Sequence, residues 1–218
     1  MRNLVIFGDS QFAERLYKYI SFEKGDRVIA FTQEQGYMSR TEIQGIPVIP
    51  FESLSSVLNE DFEIIMGIGY AGMNILREKI YHKCRSEGFS VATYISRNAI
   101  VYSDSIGEGC FICPGAVIGP DVKLGICNFV ASGTVFSHDN LIGDFNFFST
   151  NAVLGGFAAI GNRCFIGIHS TIRDGISIAD KTLVGAAANL LYSINTEGGV
   201  YVGNPAVILE NKESGKTI

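Results

Sequence analysis

From Ile100 to Leu190 a large apolar side chain recurs at every sixth residue, running through Ile118, Phe136, Leu154 and Ile172. Neither the 3.6-residue turn of an α-helix nor the two-residue alternation of a strand produces such a period. A parallel β-helix does. In it each short strand stacks on the strand one coil earlier, and the sixth-residue side chains merge into one continuous core. Three hexads make a triangular coil of about 18 residues, so the series makes about five coils. Small residues stand two places before many anchors, as at Cys110, Ala116, Val122, Thr134 and Ala152, and glycine often follows, as at Gly119, Gly143 and Gly155. The small residues fit the inside of a coil corner. The glycines are expected where the chain turns through conformations that a Cβ would hinder.

Stacking also says what lies outside the prism. One outward column reads Phe111, Phe129, Phe147 and Phe165, and a second reads Val117, Val135 and Val153. Two apolar ladders on a water-facing surface are expected to meet copies of the same chain, unless a C-terminal segment or the N-terminal domain covers one of them, and three-sided prisms suggest a homotrimer.

Residues 1–95 have a different texture and are expected to fold as a small Rossmann-like α/β domain, followed by the β-helix over 96–195 and a tail over 196–218. Asn3–Phe7 reads as a strand, Gly8-Asp9-Ser10 as a tight turn, and Phe12, Leu16, Tyr19 and Ile20 as one face of a helix. Strands follow near Arg27–Phe31, Ile46–Ile49 and Phe62–Ile68, with helices over Phe51–Leu58 and Met73–Gly88. Such a sheet binds ligands at its carboxyl edge, where Gly8, Asp9 and Ser10 could offer backbone N–H groups to a phosphate or simply cap the helix. Gly69 and Tyr70, after the strand ending near Ile68, form a second turn with room for a ligand.

With 17 basic against 22 acidic residues and no basic cluster, nothing points to nucleic acid or an anionic membrane surface. No run reaches transmembrane length, and Met1–Ile6 lacks the zones of a signal peptide. Five cysteines, an odd count, argue for reduced thiols in the cytoplasm. Packing accounts for Cys110-x-x-Cys113 better than metal or redox chemistry, and no metal is expected.

The three histidines are His82, His138 and His169. A zinc site needs three converging imidazoles, which this distribution does not favour. His138 follows the anchor Phe136 by two residues, at an outward corner position, with Asp139 beside it. One coil later the residue in line is Gly156, and one coil earlier it is Pro120. An exposed imidazole beside a carboxylate, facing a bare glycine, suits a general base next to a narrow ligand channel, although a solvated corner histidine reads the same way.

Several stretches together carry a resemblance: the Gly8 turn, Gly45-Ile46-Pro47-Val48, Ile68-Gly69 with Arg77-Glu78-Lys79-Ile80-Tyr81, Ser137-His138-Asp139 with Ile142-Gly143-Asp144, and Tyr201-Val202-Gly203-Asn204-Pro205-Ala206. Over residues 1 to about 208 the chain resembles the hexapeptide-repeat nucleotide-sugar acetyltransferases, the family of the bacillosamine-pathway N-acetyltransferase and the sialic-acid O-acetyltransferase. The resemblance implies a left-handed β-helix, a homotrimer with sites between prisms, and acetyl-CoA as co-substrate. It implies His138 as base and Asp139 as its polarising neighbour, and a CoA groove lined by Gly156, Ala186, His169, Gly203 and Pro205. A nucleotide-linked amino sugar would be held by Gly8, Asp9, Ser10, Gly69 and Tyr70. The chain departs from relatives at Phe147 and Ala131, where a histidine and an asparagine are usual, at Thr32-Gln33, and at Val207 in place of lysine.

The expected activity is therefore N-acetylation of a nucleotide-linked amino sugar of the 4-amino-4,6-dideoxy type, for surface-glycan biosynthesis. The alternatives are O-acetylation of a sugar hydroxyl, and a non-catalytic trimer that only binds sugar nucleotide.

Overall fold

The computed structural model describes residues 1–218. Asn3–Phe7 (β1) is followed by the helix Gln11–Glu23 (α1) and the strand Arg27–Gln33 (β2). Next come Glu42–Ile43 (β3), Ile46–Pro50 (β4), a 3₁₀ turn at Phe51–Ser53, the short helix Leu54–Val57 (α2), Glu63–Met66 (β5) and the helix Ile75–Ser86 (α3). The sheet order is β3-β4-β2-β1-β5, parallel except for the β3–β4 hairpin. β1 lies inside this sheet, which is why Leu4, Val5, Ile6 and Phe7 are all apolar and all buried. Ser10 caps α1, its Oγ accepting from Ala13 N at 3.4 Å, and Lys24 ends the helix in the left-handed region with φ 53°.

The rest of the chain is a left-handed parallel β-helix with three faces. The first face stacks Phe111–Ile112, Phe129–Val130, Phe147–Phe148, Phe165–Ile166 and Leu183–Val184; the second stacks Val117–Ile118, Val135–Phe136, Val153–Leu154, Thr171–Ile172 and Asn189–Leu190. The third holds Lys123–Leu124, Leu141–Ile142, Ala159–Ile160 and Ser177–Ile178. Anchors from Ile112 to Leu190 form the core together with the small corner residues Cys110, Ala116, Ala152 and Cys164.

Two details of the repeat differ from expectation. Val101, not Ile100, pairs with the anchor Ile118, so the first coil is one residue short and Ile100 is exposed. The first face also takes in Tyr94–Ile95 and Gly199–Val202, which extends the prism beyond 96–195. The glycine after an anchor is required by close stacking rather than by a special φ. A Cβ at Gly119 would sit 1.4 Å from the Ser137 carbonyl oxygen of the next coil. The left-handed residue comes two places later, as at Gly133, Asp139, Phe157 and His169.

The phenylalanine ladder does not face a second copy. Phe111, Phe129 and Phe147 are buried within one chain because α1 and the turn after β5 lie across the first face. Phe12 meets Phe129 edge-on at 5.1 Å, and Tyr70 meets Phe147 and Phe165 at 4.9 and 4.8 Å. The valine ladder on the second face stays partly open, with Val153 exposed. Arg77 fastens the α/β region to the prism. It is buried, and its guanidinium donates to the carbonyls of Ile68 and Gly69 on one side and of Cys127 and Asn146 on the other. Burial without a carboxylate partner lowers its pKa to about 10. Asn74 to Cys164 O and Arg163 to Glu78 add two further ties.

Candidate functional site

Residues 137–140 turn the corner between the second and third faces, with 119–122, 155–158 and 173–176 stacked in the same edge. The left-handed φ of 53° at Asp139, a conformation Asp tolerates better than most residues, turns its carboxylate back toward the preceding imidazole. Asp139 Oδ2 lies 2.9 Å from His138 Nδ1. A carboxylate can only accept, so in the neutral ring Nδ1 carries the proton and Nε2 keeps a free lone pair. The backbone is pinned on both sides, by Asp139 N to Pro120 O at 3.0 Å and by Phe157 N to His138 O at 3.0 Å. Phe157 sets its ring edge-on to the imidazole at 5.2 Å.

The imidazole lies against Gly156. A Cβ there would stand 2.4 Å from His138 Cε1 and 2.5 Å from Nε2, so this coil position must be glycine for the imidazole to occupy its place. No left-handed φ is involved; the constraint is space. The structure thus brings His138, Asp139 and Gly156 together at one edge.

His169 and Ala186 occupy a different edge, between the first and second faces, and both are exposed there. His169 Nε2 is 3.3 Å from Asn151 Nδ2. Gly203 and Pro205 close the last coil above this same edge, where Asn189 N donates to Gly203 O at 2.9 Å. Four of the five expected CoA-lining residues therefore share one edge, while Gly156 shares the other with His138.

Gly8, Ser10, Gly69 and Tyr70 gather at the carboxyl edge of the small sheet. A Cβ at Gly8, whose φ is 122°, would stand 2.7 Å from Gly67 O, so close strand packing accounts for that glycine. Ser10 is an exposed helix cap. Asp9 is turned elsewhere: its Oδ2 accepts from Ser39 N at 2.6 Å and Ser39 Oγ at 2.8 Å and so ties down the loop before β3. Tyr70 spends its ring on the phenylalanine ladder. Gly69 alone has open space where a side chain would be. The contacts that seat this region fall on the first face and on the two edges that flank it, across the prism from the edge of His138.

The cysteines are free and buried, and burial pushes the Cys110 and Cys113 thiols up to about 12, as packed rather than reactive thiols require. No group of three or more His, Cys, Asp or Glu side chains is placed to hold a metal ion. No helix is long and apolar enough to cross a membrane.

One residue of this edge escaped the reading of the sequence. Asn140 points inward beside His138 and is buried, its Nδ2 donating to Gly155 O at 2.7 Å. Reading the inward corner residues of the complete coils at the 18-residue spacing, Val122, Asn140, Ala158 and Ile176, would have marked it as polar among apolar neighbours.

No family model matches the sequence, and no curated protein matches it. Solved structures do match. A variant of perosamine N-acetyltransferase from Caulobacter crescentus, in complex with CoA and GDP-perosamine, is 25% identical with a TM-score of 0.85, covering 97% of this chain and 98% of that one. The acetyltransferase domain of PglB from Neisseria gonorrhoeae, in complex with acetyl coenzyme A, is 25% identical with a TM-score of 0.83, covering 95% of this chain and 99% of that one. WeeI from Acinetobacter baumannii, 23% identical, has the same fold with a TM-score of 0.83, over 96% of this chain and 100% of that one. Over its whole length the chain carries the fold of the hexapeptide-repeat nucleotide-sugar acetyltransferases.

Proposed function

We propose that the chain transfers the acetyl group of acetyl-CoA to the amino group of a nucleotide-linked amino sugar of the 4-amino-4,6-dideoxy type, in the cytoplasm, for surface-glycan biosynthesis. The observation that carries the chemistry is the imidazole of His138, half exposed, held at Nδ1 by Asp139 and laid against the backbone of Gly156. The similarity to complexes with CoA and GDP-perosamine supports the two substrates.

The sugar nitrogen attacks the thioester carbonyl carbon while His138 Nε2 takes the proton of the amine. The carbonyl oxygen becomes an oxyanion. It is met by the Gly156 N–H, which has no hydrogen-bond partner inside the protein. When the intermediate collapses the carbon–sulfur bond breaks, and the imidazolium returns its proton to the departing CoA sulfur. Asp139 steadies the charge on the ring between these steps. No covalent enzyme intermediate is needed, and positioning two substrates side by side supplies much of the acceleration.

The α/β domain and His138 lie on opposite sides of one prism, so the reading requires a second copy. In a homotrimer the His138 edge of one prism would face the small domain and the His169–Ala186 edge of its neighbour, with CoA running in the groove between them. The open valine ladder on the second face supplies apolar area for that contact.

The test is a panel of nucleotide-linked amino sugars incubated with acetyl-CoA, read by thiol release and by the mass of the product. The parent chain is expected to add one acetyl group to an amine, and His138→Ala to lower turnover about a hundredfold or more. Acetyl transfer to a hydroxyl, or parental turnover by His138→Ala, would overturn the assignment.

A further inference from the structure

The inward column behind the His138 edge reads Val122, Asn140, Ala158 and Ile176, all buried. Three members are apolar, and the exception stands in the same coil as His138. Asn140 also carries a cost that the fold does not require. Its Oδ1 has no hydrogen-bond partner, although Asn128 and Asn146, at the equivalent inward place of other coils, use theirs to accept from Asn146 N and Cys164 N. A buried, unpartnered carbonyl oxygen is destabilising, and Val122 shows that this corner packs well without an amide.

What the amide does make is one short bond, Nδ2 to Gly155 O at 2.7 Å. The Gly155–Gly156 peptide is trans, since the one cis bond in the chain is Asn204–Pro205. In a trans peptide the N–H points away from the carbonyl. The carbonyl of Gly155 is directed at an amide inside the prism, so the N–H of Gly156 is directed outward, to the side where the imidazole of His138 lies.

This outward N–H is left without a partner, as are those of His138 and Asp174 on the same edge. At the edge between the third and first faces the equivalent amides are each capped by a side chain of the next coil: Ile126 N by Asp144, Asp144 N by Asn162, and Asn162 N by Asp180, at 2.8–2.9 Å. Asp174 stands one coil beyond Gly156, in the capping place, and makes no such bond.

We propose that Asn140 is a positioning residue for acyl transfer, gripping Gly155 O from inside the prism so that the Gly156 N–H is aimed and polarised toward the oxyanion. The proposal rests on the acyltransfer reading above. A hydrogen bond accepted by a peptide carbonyl strengthens the donor at the other end of that peptide, by about 10–30% per bond. Applied to an oxyanion donor worth about 10²–10³ in rate, that is roughly a two- to eightfold effect on turnover.

The test compares Asn140→Thr with Asn140→Val. The two side chains have nearly the same shape, and both are tolerated at this inward place elsewhere, as Thr134 and Val122. Only Thr can donate, and Thr134 Oγ1 already does so to the equivalent carbonyl, Ser149 O, at 3.0 Å. Asn140→Thr is expected to recover most of the parental kcat. Asn140→Val is expected to fall roughly two- to eightfold below it with the acetyl-CoA KM nearly unchanged. The backbone amide proton of Gly156 should also resonate upfield in Asn140→Val relative to Asn140→Thr, in protein without substrate. If Asn140→Val fails to fold, Asn140→Ala against Asn140→Cys repeats the comparison, because Cys110 Sγ donates to Gly125 O in the same way. Equal turnover in the donor and non-donor variants, or an identical Gly156 amide shift in both, overturns the proposal. An amide shift as expected, with no transfer to any amino sugar by the parent, would uphold the grip and count against the enzymatic reading.

Discussion

Replacing Gly156 with alanine adds one carbon where the structure leaves least room. The new Cβ would stand 2.4 Å from His138 Cε1, whereas ordinary contacts begin near 3.4 Å, so the ring must retreat by about 1 Å. The position has no left-handed φ, and alanine strains nothing in the backbone. The imidazole side chain is about half exposed and free to swing away, so stability should stay within about 0.5 kcal/mol of the parent. Catalysis should not. A misplacement of about 1 Å at a reacting group can cost on the order of a hundredfold, and the swing also breaks the Nδ1 bond to Asp139. Turnover read by thiol release from acetyl-CoA is expected to drop about a hundredfold, and the melting temperature to hold. Adding Gly156→Ala to His138→Ala should cost little more, because the Cβ then has no ring to displace. Parental turnover by Gly156→Ala would refute the placement of the base against this glycine.

Two further substitutions separate the contacts within a chain from those between chains. Phe129→Glu puts a charge under α1 in a stack with Phe12 and Phe147 and is expected to destabilise the chain by about 3 kcal/mol or more in denaturant unfolding. Val153→Glu, on the open second face, should leave unfolding nearly unchanged and shift the sedimentation profile to smaller species. Arg77→Met leaves the carbonyls of Ile68, Gly69, Cys127 and Asn146 without their donor, and should lower stability by about 3 kcal/mol or more with a matching fall in melting temperature.

The six-residue period made most of the prism legible because it records contacts between residues one coil apart. The 18-residue stacking that sets Phe129 on Phe147 also sets Gly156 beside His138, so this corner could be read before any coordinates. The same logic failed at the first coil, which is one residue short, and Ile100 was assigned inside where Val101 lies. Periodicity shows that a side chain leaves the prism but not what meets it outside, so it does not decide which of the two ladders meets another copy and which lies under α1. Asp9 was hidden for a similar reason. Its partner Ser39 is 30 residues away, at a contact made only when β2 and its following loop fold over the turn. The short αα spacing that marks Ser10 as a helix cap carries no comparable information about a distant loop.

The seating of the α/β domain on the first face leads to the most demanding expectation. Within one chain the Gly69–Tyr70 turn is separated from His138 by the body of the prism, so if that turn holds the sugar nucleotide, as proposed, neither can complete the other's site. Two inactive variants should then restore activity when mixed. His138→Ala lacks the base but keeps its small domain. Gly69→Trp keeps the base and fills the turn at a glycine whose Cβ position is open, so the ring obstructs the ligand without distorting the fold. On the proposed composite arrangement, a working site would need His138 from one copy and an open turn from its neighbour. With equal amounts and random assembly, each requirement is met half the time, and about a quarter of the sites regain function. Refolding the two together should therefore recover about a quarter of the parental turnover, while either alone stays inactive. If the mixture is no more active than its components, each site is built from a single chain, and the composite arrangement is wrong even if the chemistry at His138 is right.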